Sequence, residues 1–219
     1  AAEDAYRHYD FLAVSSTLMN FMTNELSSYY LDFTKDILYI EKKDAPRRRA
    51  VQTVLWKCVD ALAKLWAPSL VYTMEEVWTH FTNDESESIH LTEYAKPTET
   101  DNAEELKAMF ERAFALRSDV FKALEESRAA KVIGKPLEAH VVIDCSAEDK
   151  ALLEKACGNV AQWLIVSEVT FAENTDFNSY ENCKVKVLKA EGTVCPRCWN
   201  VSKEHDEEGL CPRCQSVLK

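Results

Sequence analysis

Two pairs of cysteines near the end of the chain form the pattern C-x2-C-x12-C-x2-C. Two residues between paired cysteines allow both thiolates of one turn to bind the same ion, and a second such turn completes a tetrahedral site with four sulfur ligands. Soft thiolates in this geometry favour Zn²⁺, with iron as the alternative metal. Without a metal, the same cysteines would be two pairs of free or oxidised thiols. The predicted ligands of one zinc ion per chain are Cys195, Cys198, Cys211 and Cys214.

Cysteine would fill all four positions of this zinc site, which leaves no open position for a substrate or a catalytic water. The predicted role of the metal is therefore structural. The segment from Val194 onward has little apolar content, so we expect it to fold only when the metal is bound.

Three side chains beside these cysteines have the chemistry to contact RNA. Arg197, Trp199 and Arg213 would place two guanidinium groups and an indole on metal-rigidified turns, which suits an unstacked base and its phosphates. The alternative is that Trp199 covers the metal site as local core and that the arginines are solvated. Residues 181–219 hold seven Lys and Arg against six Asp and Glu, so the acidic excess of the chain lies elsewhere.

A second group of basic side chains lies around the predicted start of a helix. Nucleic-acid contacts that follow the phosphate backbone need a cluster of this kind. The alternative is a solvated helix surface, and basic residues oppose the dipole at a helix start. This basic cluster consists of Lys35, Lys42, Lys43, Arg47, Arg48 and Arg49.

The charge and glycine content limit what else the chain can do. The formal net charge is −11, so any nucleic-acid site must be a local basic patch on an acidic molecule. The four glycines are too far apart to form a phosphate-binding loop, and no catalytic motif is present. No apolar run approaches the ~20 residues of a membrane helix. We expect no catalytic residues, no membrane contact and a reducing, cytoplasmic compartment.

Apolar side chains recur every three or four residues over the first half of the chain, which predicts a bundle of amphipathic helices. The first helix is expected over residues 4–40. Pro46 suits the first turn of the next helix, with Asp44 as its N-cap. Thr73–Glu76 has the form of a capping box at a new helix start, and residues 83–88 are predicted to form a surface loop.

The sequence pattern changes after Gly134-Lys135-Pro136. β-Branched runs predict strands, and Ser146 is a predicted N-cap for a helix over residues 147–158. The predicted strands cover residues 139–145, 163–171 and 183–188. The fold class is therefore mainly α. Its predicted domains are a helical bundle (residues 1–136), a small α+β junction domain (137–190) and a zinc-binding module (191–219).

Four segments resemble a known family. Residues 66–78 (WAPSLVYTMEEVW) resemble the helix–Pro–helix motif of the anticodon-binding bundle in class Ia aminoacyl-tRNA synthetases, although Tyr72 stands where His is common. Residues 24–39 (NELSSYYLDFTKDILY) and 128–139 (RAAKVIGKPLEA) are similar to the isoleucine/valine branch. Cys-Pro-Arg-Cys-Trp at 195–199 resembles the start of the zinc module in bacterial isoleucyl-tRNA synthetases, whereas valine enzymes end in a coiled-coil arm.

This resemblance implies a C-terminal region whose bundle and zinc module embrace the anticodon stem-loop of isoleucine tRNA. The catalytic and editing domains would belong to the same polypeptide, a cytoplasmic monomer that attaches isoleucine to its tRNA using ATP. The chain begins Ala1-Ala2-Glu3 without Met, as expected for a piece of a longer protein that is inactive by itself.

Three alternatives remain open from the sequence. One is a stand-alone zinc-ribbon module that binds nucleic acid or protein, and another is the equivalent region of a valyl-type synthetase. The third is a zinc-finger DNA glycosylase, but that enzyme needs an N-terminal Pro nucleophile, which Ala1 does not provide.

Overall fold

Helices make up most of the chain, so the predicted mainly α class is confirmed. The computed structural model describes residues 1–82, 87–173 and 176–218; residues 83–86 of the predicted surface loop lie outside this range. The chain forms two units, Ala1–Thr98 and Glu99–Lys219. The predicted division into three domains at residues 136 and 190 stays a prediction.

Helical segments form the first unit. Where one helix was expected over residues 4–40, the chain turns at Tyr9, whose φ is 57°. A new helix begins after Asp10, whose carboxylate accepts a hydrogen bond from the Ala13 N–H at 2.9 Å. The α-helices are α1 (Ala2–Arg7), α2 (Phe11–Asn20), α3 (Asp32–Ile40), α4 (Pro46–Trp66) and α5 (Val71–Thr82), with a π-helix over Phe21–Leu31 and a 3-10 turn over Ile89–Leu91.

The starts of α4 and α5 differ from their predicted caps. Pro46 is the first residue of α4 as predicted, but the N-cap is Ala45, without a side-chain hydrogen bond, and not Asp44. Helix α5 begins at Val71, so the capping box predicted at Thr73 is wrong. The Trp66 carbonyl accepts hydrogen bonds from two later backbone N–H groups, which closes a short turn and starts α5 earlier.

Two apolar clusters hold the first unit together. In one, Val14 and Leu18 are buried against side chains of α1 and α4, and the Tyr6 hydroxyl donates to the Leu65 carbonyl at 2.7 Å. In the other, Trp78 packs with Ala63 and Ile89. These contacts fix α4 and thereby the chain that leads into it from α3.

A four-stranded sheet and a long helix form the main part of the second unit. Its elements are α6 (Ala103–Ala129), β1 (Ala139–Asp144), α7 (Ala147–Cys157), α8 (Val160–Leu164), β2 (Glu168–Phe171), β3 (Asn178–Ser179), β4 (Lys184–Lys189), β5 (Thr193–Val194), β6 (Val201–Ser202) and α9 (Pro212–Leu218), with a 3-10 turn over Pro136–Glu138. The strand order is β2-β1-β4-β3; β1 and β2 are parallel, and the other pairs are antiparallel. A separate hairpin pairs β5 with β6.

Local signals explain the helices that connect β1 to β2. Ser146 caps α7 as predicted, because its hydroxyl accepts the Asp149 N–H at 3.0 Å. The strand predicted from residue 163 is shorter than expected, because its apolar start belongs to α8. That helix ends at Ile165, which adopts a left-handed conformation with φ 58°.

Polar contacts attach α6 and α7 to the loop before β4. The Asp119 carboxylate accepts the backbone N–H of Asn182 at 2.6 Å and of Cys183 at 3.1 Å. Arg112 donates to both carboxylate oxygens of Asp149, at 2.8 and 2.9 Å, and to the Asn182 side chain at 2.8 Å. The Arg112 guanidinium holds the pKa of Asp149 below its usual range.

Candidate metal centre and nucleic-acid interface

The four paired cysteines meet at one point in the second unit. Their sulfur atoms all lie within 4.8 Å of one another, and all four residues are buried. The Sγ atoms of Cys198 and Cys211 are 3.6 Å apart. Zn–S bonds of about 2.3 Å separate tetrahedral sulfurs by about 3.8 Å, so these cysteines fit a metal ion with four sulfur ligands. Among the described residues, no other group of three or more ligand-type side chains converges in this way.

The first cysteine pair lies in the turn of the β5–β6 hairpin. The Cys195 N–H donates to the Asn200 carbonyl at 2.9 Å, and the Trp199 N–H donates to the Cys195 carbonyl at 2.9 Å. Trp199 adopts a φ of 64° to complete this turn. Gly192 permits the hairpin to close, because a Cβ there would lie 2.0 Å from the Ser202 carbonyl oxygen.

The second pair is positioned by a side-chain-stabilised loop and a short helix. The Asp206 carboxylate accepts the N–H groups of Glu208 at 3.0 Å and Leu210 at 2.8 Å, which folds the loop before Cys211. Helix α9 then begins at Pro212 and places Cys214 within its first turn. Both pairs therefore owe their geometry to local backbone turns.

The surroundings of the sulfurs favour thiolate at one position. Burial acts to raise the pKa of Cys195, but hydrogen bonds from the backbone N–H groups of Cys211, Cys198 and Arg197 outweigh it and lower that pKa to about 6. Burial raises the pKa of Cys198 and Cys214. A bound cation would displace the protons from these thiols.

The three residues predicted to contact RNA near the cysteines differ in exposure. Trp199 is 68% exposed, so most of its surface faces solvent and not the sulfur atoms. Arg197 is half-buried, and its Nη1 donates to the Sγ of Cys214 at 3.6 Å. Arg213 is half-buried on α9. The second unit therefore brings these three residues and the sulfur cluster into one module.

The basic cluster lies in the first unit, on the connection between α3 and α4. Lys42 and Lys43 are exposed at the turn and make no side-chain hydrogen bond or ion pair among the described residues. Arg47 and Arg48 are both held by Glu41: Arg47 Nε lies 3.6 Å from its carboxylate, and Arg48 Nη1 donates to its carbonyl at 3.1 Å.

The outer members of the basic cluster are engaged within their own helices. Lys35 forms an ion pair with Asp32 at 3.0 Å, one turn earlier on α3. Arg49 donates to Gln52 at 3.1 Å on α4. The two lysines at the turn of the α3–α4 hairpin are therefore the least restrained cations of the basic cluster.

Comparison with known proteins shows which family the chain belongs to. The anticodon-binding domain of tRNA ligase matches residues 1–143. The chain belongs to this family. The isoleucine–tRNA ligases of Bacillus mycoides (strain KBAB4) and Bacillus cereus (strain B4264) are 45% and 43% identical to it over 226 aligned positions. The alignments cover 99% of this chain and 24% of each relative, so the chain spans about a quarter of the length of these relatives.

The family match and the similarity to the isoleucine–tRNA ligases cover different parts of the chain. The basic cluster lies within the family match, whereas the cysteine module lies beyond residue 143. The similarity to the isoleucine–tRNA ligases nevertheless extends over 99% of the chain and so includes that module. Within the described residues, no helix combines the length and apolar content needed to span a membrane.

No sequence motif predicts a cleft that lies beside the cysteine module. It has a volume of about 230 Å³ and lies between α8 and the two cysteine turns. Asn200 lines it and directly follows Trp199, so extending the C-P-R-C-W motif by one residue would have included it. Gln162 on α8 lines the same cleft, but no motif marks it in the sequence.

Proposed function

We propose that this chain is the part of an isoleucine–tRNA ligase that binds the anticodon stem-loop of isoleucine tRNA. The observation that carries the proposal is the 45% identity to an isoleucine–tRNA ligase over 99% of the chain, cysteine module included. Membership of the anticodon-binding family supports the class of ligand, and the exposed cationic and aromatic groups supply the chemistry.

The two candidate surfaces have different tasks in this proposal. The basic cluster contacts phosphates, which fixes the position of the RNA without reading its sequence. Lys42 and Lys43 lead this contact because no carboxylate among the described residues neutralises them. Trp199 stacks on an unstacked base, and Arg197 and Arg213 supply charge-assisted hydrogen bonds.

The metal in this proposal is Zn²⁺, one per chain. Cys195, Cys198, Cys211 and Cys214 hold it, and it supplies structural cross-linking of the two cysteine turns. The exposed indole of Trp199 is then presented on a rigid turn, which reduces the entropy lost when RNA binds. The Arg197 contact to the Cys214 sulfur ties a guanidinium to the same centre.

Aminoacylation in this proposal belongs to the longer polypeptide. The catalytic and editing domains of that cytoplasmic, monomeric enzyme attach isoleucine to tRNA using ATP. The chain alone is expected to form no isoleucyl-adenylate, because its four dispersed glycines provide no phosphate-binding loop.

Binding competition tests the proposal directly. Purified, metal-loaded chain is titrated with labelled isoleucine tRNA, valine tRNA and a random DNA duplex at one fixed salt concentration. Preference for isoleucine tRNA supports the proposal, and preference for valine tRNA indicates a valyl-type region. Preference for DNA indicates a zinc-ribbon adaptor or a glycosylase-like module, and absence of binding to isoleucine tRNA contradicts the proposal.

A further inference from the structure

The cleft between α8 and the cysteine turns has the size of a small heterocycle. Its volume is about 230 Å³, below the range of about 300–1,000 Å³ typical of sites for drug-sized ligands. Polar side chains supply much of its lining: Asn159, Gln162, Ser167, Asn200, Ser202 and Arg213. A single planar polar group, such as a nucleobase, matches this space and this lining.

The charge of its lining residues distinguishes this cleft from two others in the same unit. The cleft beside α9 is lined by Asp206, Glu207 and Glu208. The cleft at the edge of the sheet includes Asp144 and Glu173 in its lining. The cleft at α8, in contrast, has no carboxylate among its lining residues and has one guanidinium. On a chain with a net charge of −11, it is the one of the three that accepts RNA without direct repulsion.

Most small polar groups around the cleft already have hydrogen-bond partners. The Ser167 hydroxyl accepts the Val201 N–H at 2.7 Å, and the Ser202 hydroxyl donates to the Glu204 carbonyl at 3.0 Å. The Asn159 side-chain carbonyl oxygen accepts the Gln162 N–H at 3.0 Å. These groups build the wall and have reduced capacity for a ligand.

Asn200 is the exception. Its backbone is fixed, because its carbonyl accepts the Cys195 N–H at 2.9 Å, but its side-chain amide makes no hydrogen bond among the described residues. An amide offers a donor and an acceptor side by side, which is the pattern that base edges complement. The preceding residue, Trp199, is exposed on the same turn.

We propose that this cleft receives one unstacked base of the anticodon loop, with the Asn200 amide hydrogen-bonding to the edge of that base. Arg213, on the opposite cysteine turn, provides the positive charge for its carbonyl or phosphate. Cys211 also lines the cleft, so the metal centre holds one of its walls. The inference rests on the proposed function, since it assigns a position within the same RNA complex.

A double-mutant cycle between protein and RNA tests this position. The metal-loaded full chain, as wild type and as Asn200→Ala, is titrated with a synthetic anticodon stem-loop of isoleucine tRNA. Single loop nucleotides of the RNA are replaced in turn by an abasic ribose. We expect Asn200→Ala to weaken binding about tenfold, as for removal of a bidentate hydrogen bond to a base, and one abasic RNA to weaken wild type similarly.

Coupling between the two changes is the decisive result. Asn200→Ala should lose clearly less affinity than wild type when that one nucleotide is made abasic, since the amide that would recognise the base is already absent. Asn200→Asp keeps the shape but loses the donor, and it should bind like the Ala variant. Asn102→Ala removes an exposed amide that caps no backbone N–H at the start of α6, and this variant should bind like wild type. Zinc content and melting temperature, measured on every sample, identify a variant that is misfolded.

The outcomes separate this inference from the proposed function. If wild type binds the stem-loop but Asn200→Ala and Asn200→Asp, both fully metal-loaded, bind equally well, the cleft is not a base site. Additive losses at every abasic position also overturn the inference. If metal-loaded wild type binds no stem-loop at all, the proposed function itself fails together with it.

Discussion

The basic cluster and the cysteine module present positive charge in opposite ways. Around α3 and α4, the cations lie at and beside a turn between two helices. Some of them make contacts with Glu41 or with a side chain one turn away on the same helix. In the cysteine module, Arg197 contacts the Cys214 sulfur, and the neighbouring Trp199 is exposed on a backbone turn. The first arrangement suits phosphates, whose position varies little with sequence, and the second suits bases, which need fixed geometry.

Of the changes considered, removal of the metal should produce the largest difference between the two regions. Cys195→Ser, or chelation, should abolish metal binding and unfold the cysteine module while the helical signal of the first unit persists. Structural zinc contributes on the order of 10 kcal/mol in small zinc-finger peptides, so this is the largest expected effect. Elemental analysis and far-UV circular dichroism measure it.

Cys58→Ser is the matched control for the metal, because Cys58 lies half-buried on α4. It should keep one zinc ion per chain. Unchanged zinc content in Cys195→Ser, or disappearance of the first unit's helical signal on chelation, would contradict the separation of the two regions.

Removal of the Trp199 indole should weaken RNA binding without altering its salt dependence. Stacking of a base on an aromatic ring contributes about 1–3 kcal/mol, so Trp199→Ala should bind the anticodon stem-loop about tenfold more weakly. The slope of log K against log salt should stay unchanged, because no charge is removed. Fluorescence anisotropy over a salt series gives both quantities.

Trp199→Phe keeps a stacking surface and should recover much of the affinity. Equal RNA affinity of the Ala variant and wild type, with full zinc in both, would remove Trp199 from the interface. Loss of zinc from the Ala variant would instead assign the indole to the stability of the metal site.

Changes in the basic cluster should alter the salt dependence of RNA binding more than the affinity itself. Lys42→Gln with Lys43→Gln should lower affinity modestly and flatten the salt slope by nearly one unit for each phosphate that the variant no longer neutralises. Arg47→Gln with Arg48→Gln should flatten it less, because Glu41 already contacts both guanidinium groups. Titrations of the same RNA at several salt concentrations measure both pairs.

The salt slopes also provide the control. Lys155→Gln removes an exposed cation from the second unit, where it pairs with Glu105, and should leave the slope unchanged. A slope that is equally insensitive to Lys42 and Lys43 would show that the basic cluster is a solvated surface.

How far the sequence predicted these regions depends on how local their determinants are. The convergence of the four cysteines was predictable because residue type and spacing lie within two short turns. The start of α4 at Pro46 was also predictable, but the start of α5 was not, because backbone hydrogen bonds to Trp66 start α5 before its apparent cap. The apolar segment from Trp163 to Val166 is equally compatible with a buried helix or a strand, and periodicity could not distinguish them.

The cleft at α8 was beyond sequence reasoning for a different reason. Its walls come from α8, from the loop before β2 and from both cysteine turns, so Gln162 and Arg213 meet only after folding. The unused amide of Asn200 becomes visible only once the partners of its neighbours are known. Local patterns predicted the cysteine cluster, whereas tertiary packing created the polar cleft.

The smallest expected effect concerns the scaffold that carries the cysteine module. Arg112 lowers the pKa of Asp149, so the ion pair adds stability that is fully present above the unfolded carboxyl pKa of about 3.9 and is lost as pH falls through the lower folded value. Asp149→Asn should therefore destabilise the second unit near neutral pH, by about 1 kcal/mol because 39% of the Arg112 side chain is exposed.

Urea unfolding between pH 7 and pH 2, with tryptophan fluorescence as the signal, measures the Asp149 effect. The difference between wild type and Asp149→Asn should be constant down to about pH 5 and should shrink below pH 4, as the carboxylate is protonated in both folded and unfolded states. Lys155→Gln, whose exposed ion pair contributes little, is the control variant. A difference that stays constant at low pH would show that Asp149 stabilises α7 through its shape and uncharged hydrogen bonds. In that case the charge of the Arg112–Asp149 pair would contribute nothing to the stability of the scaffold.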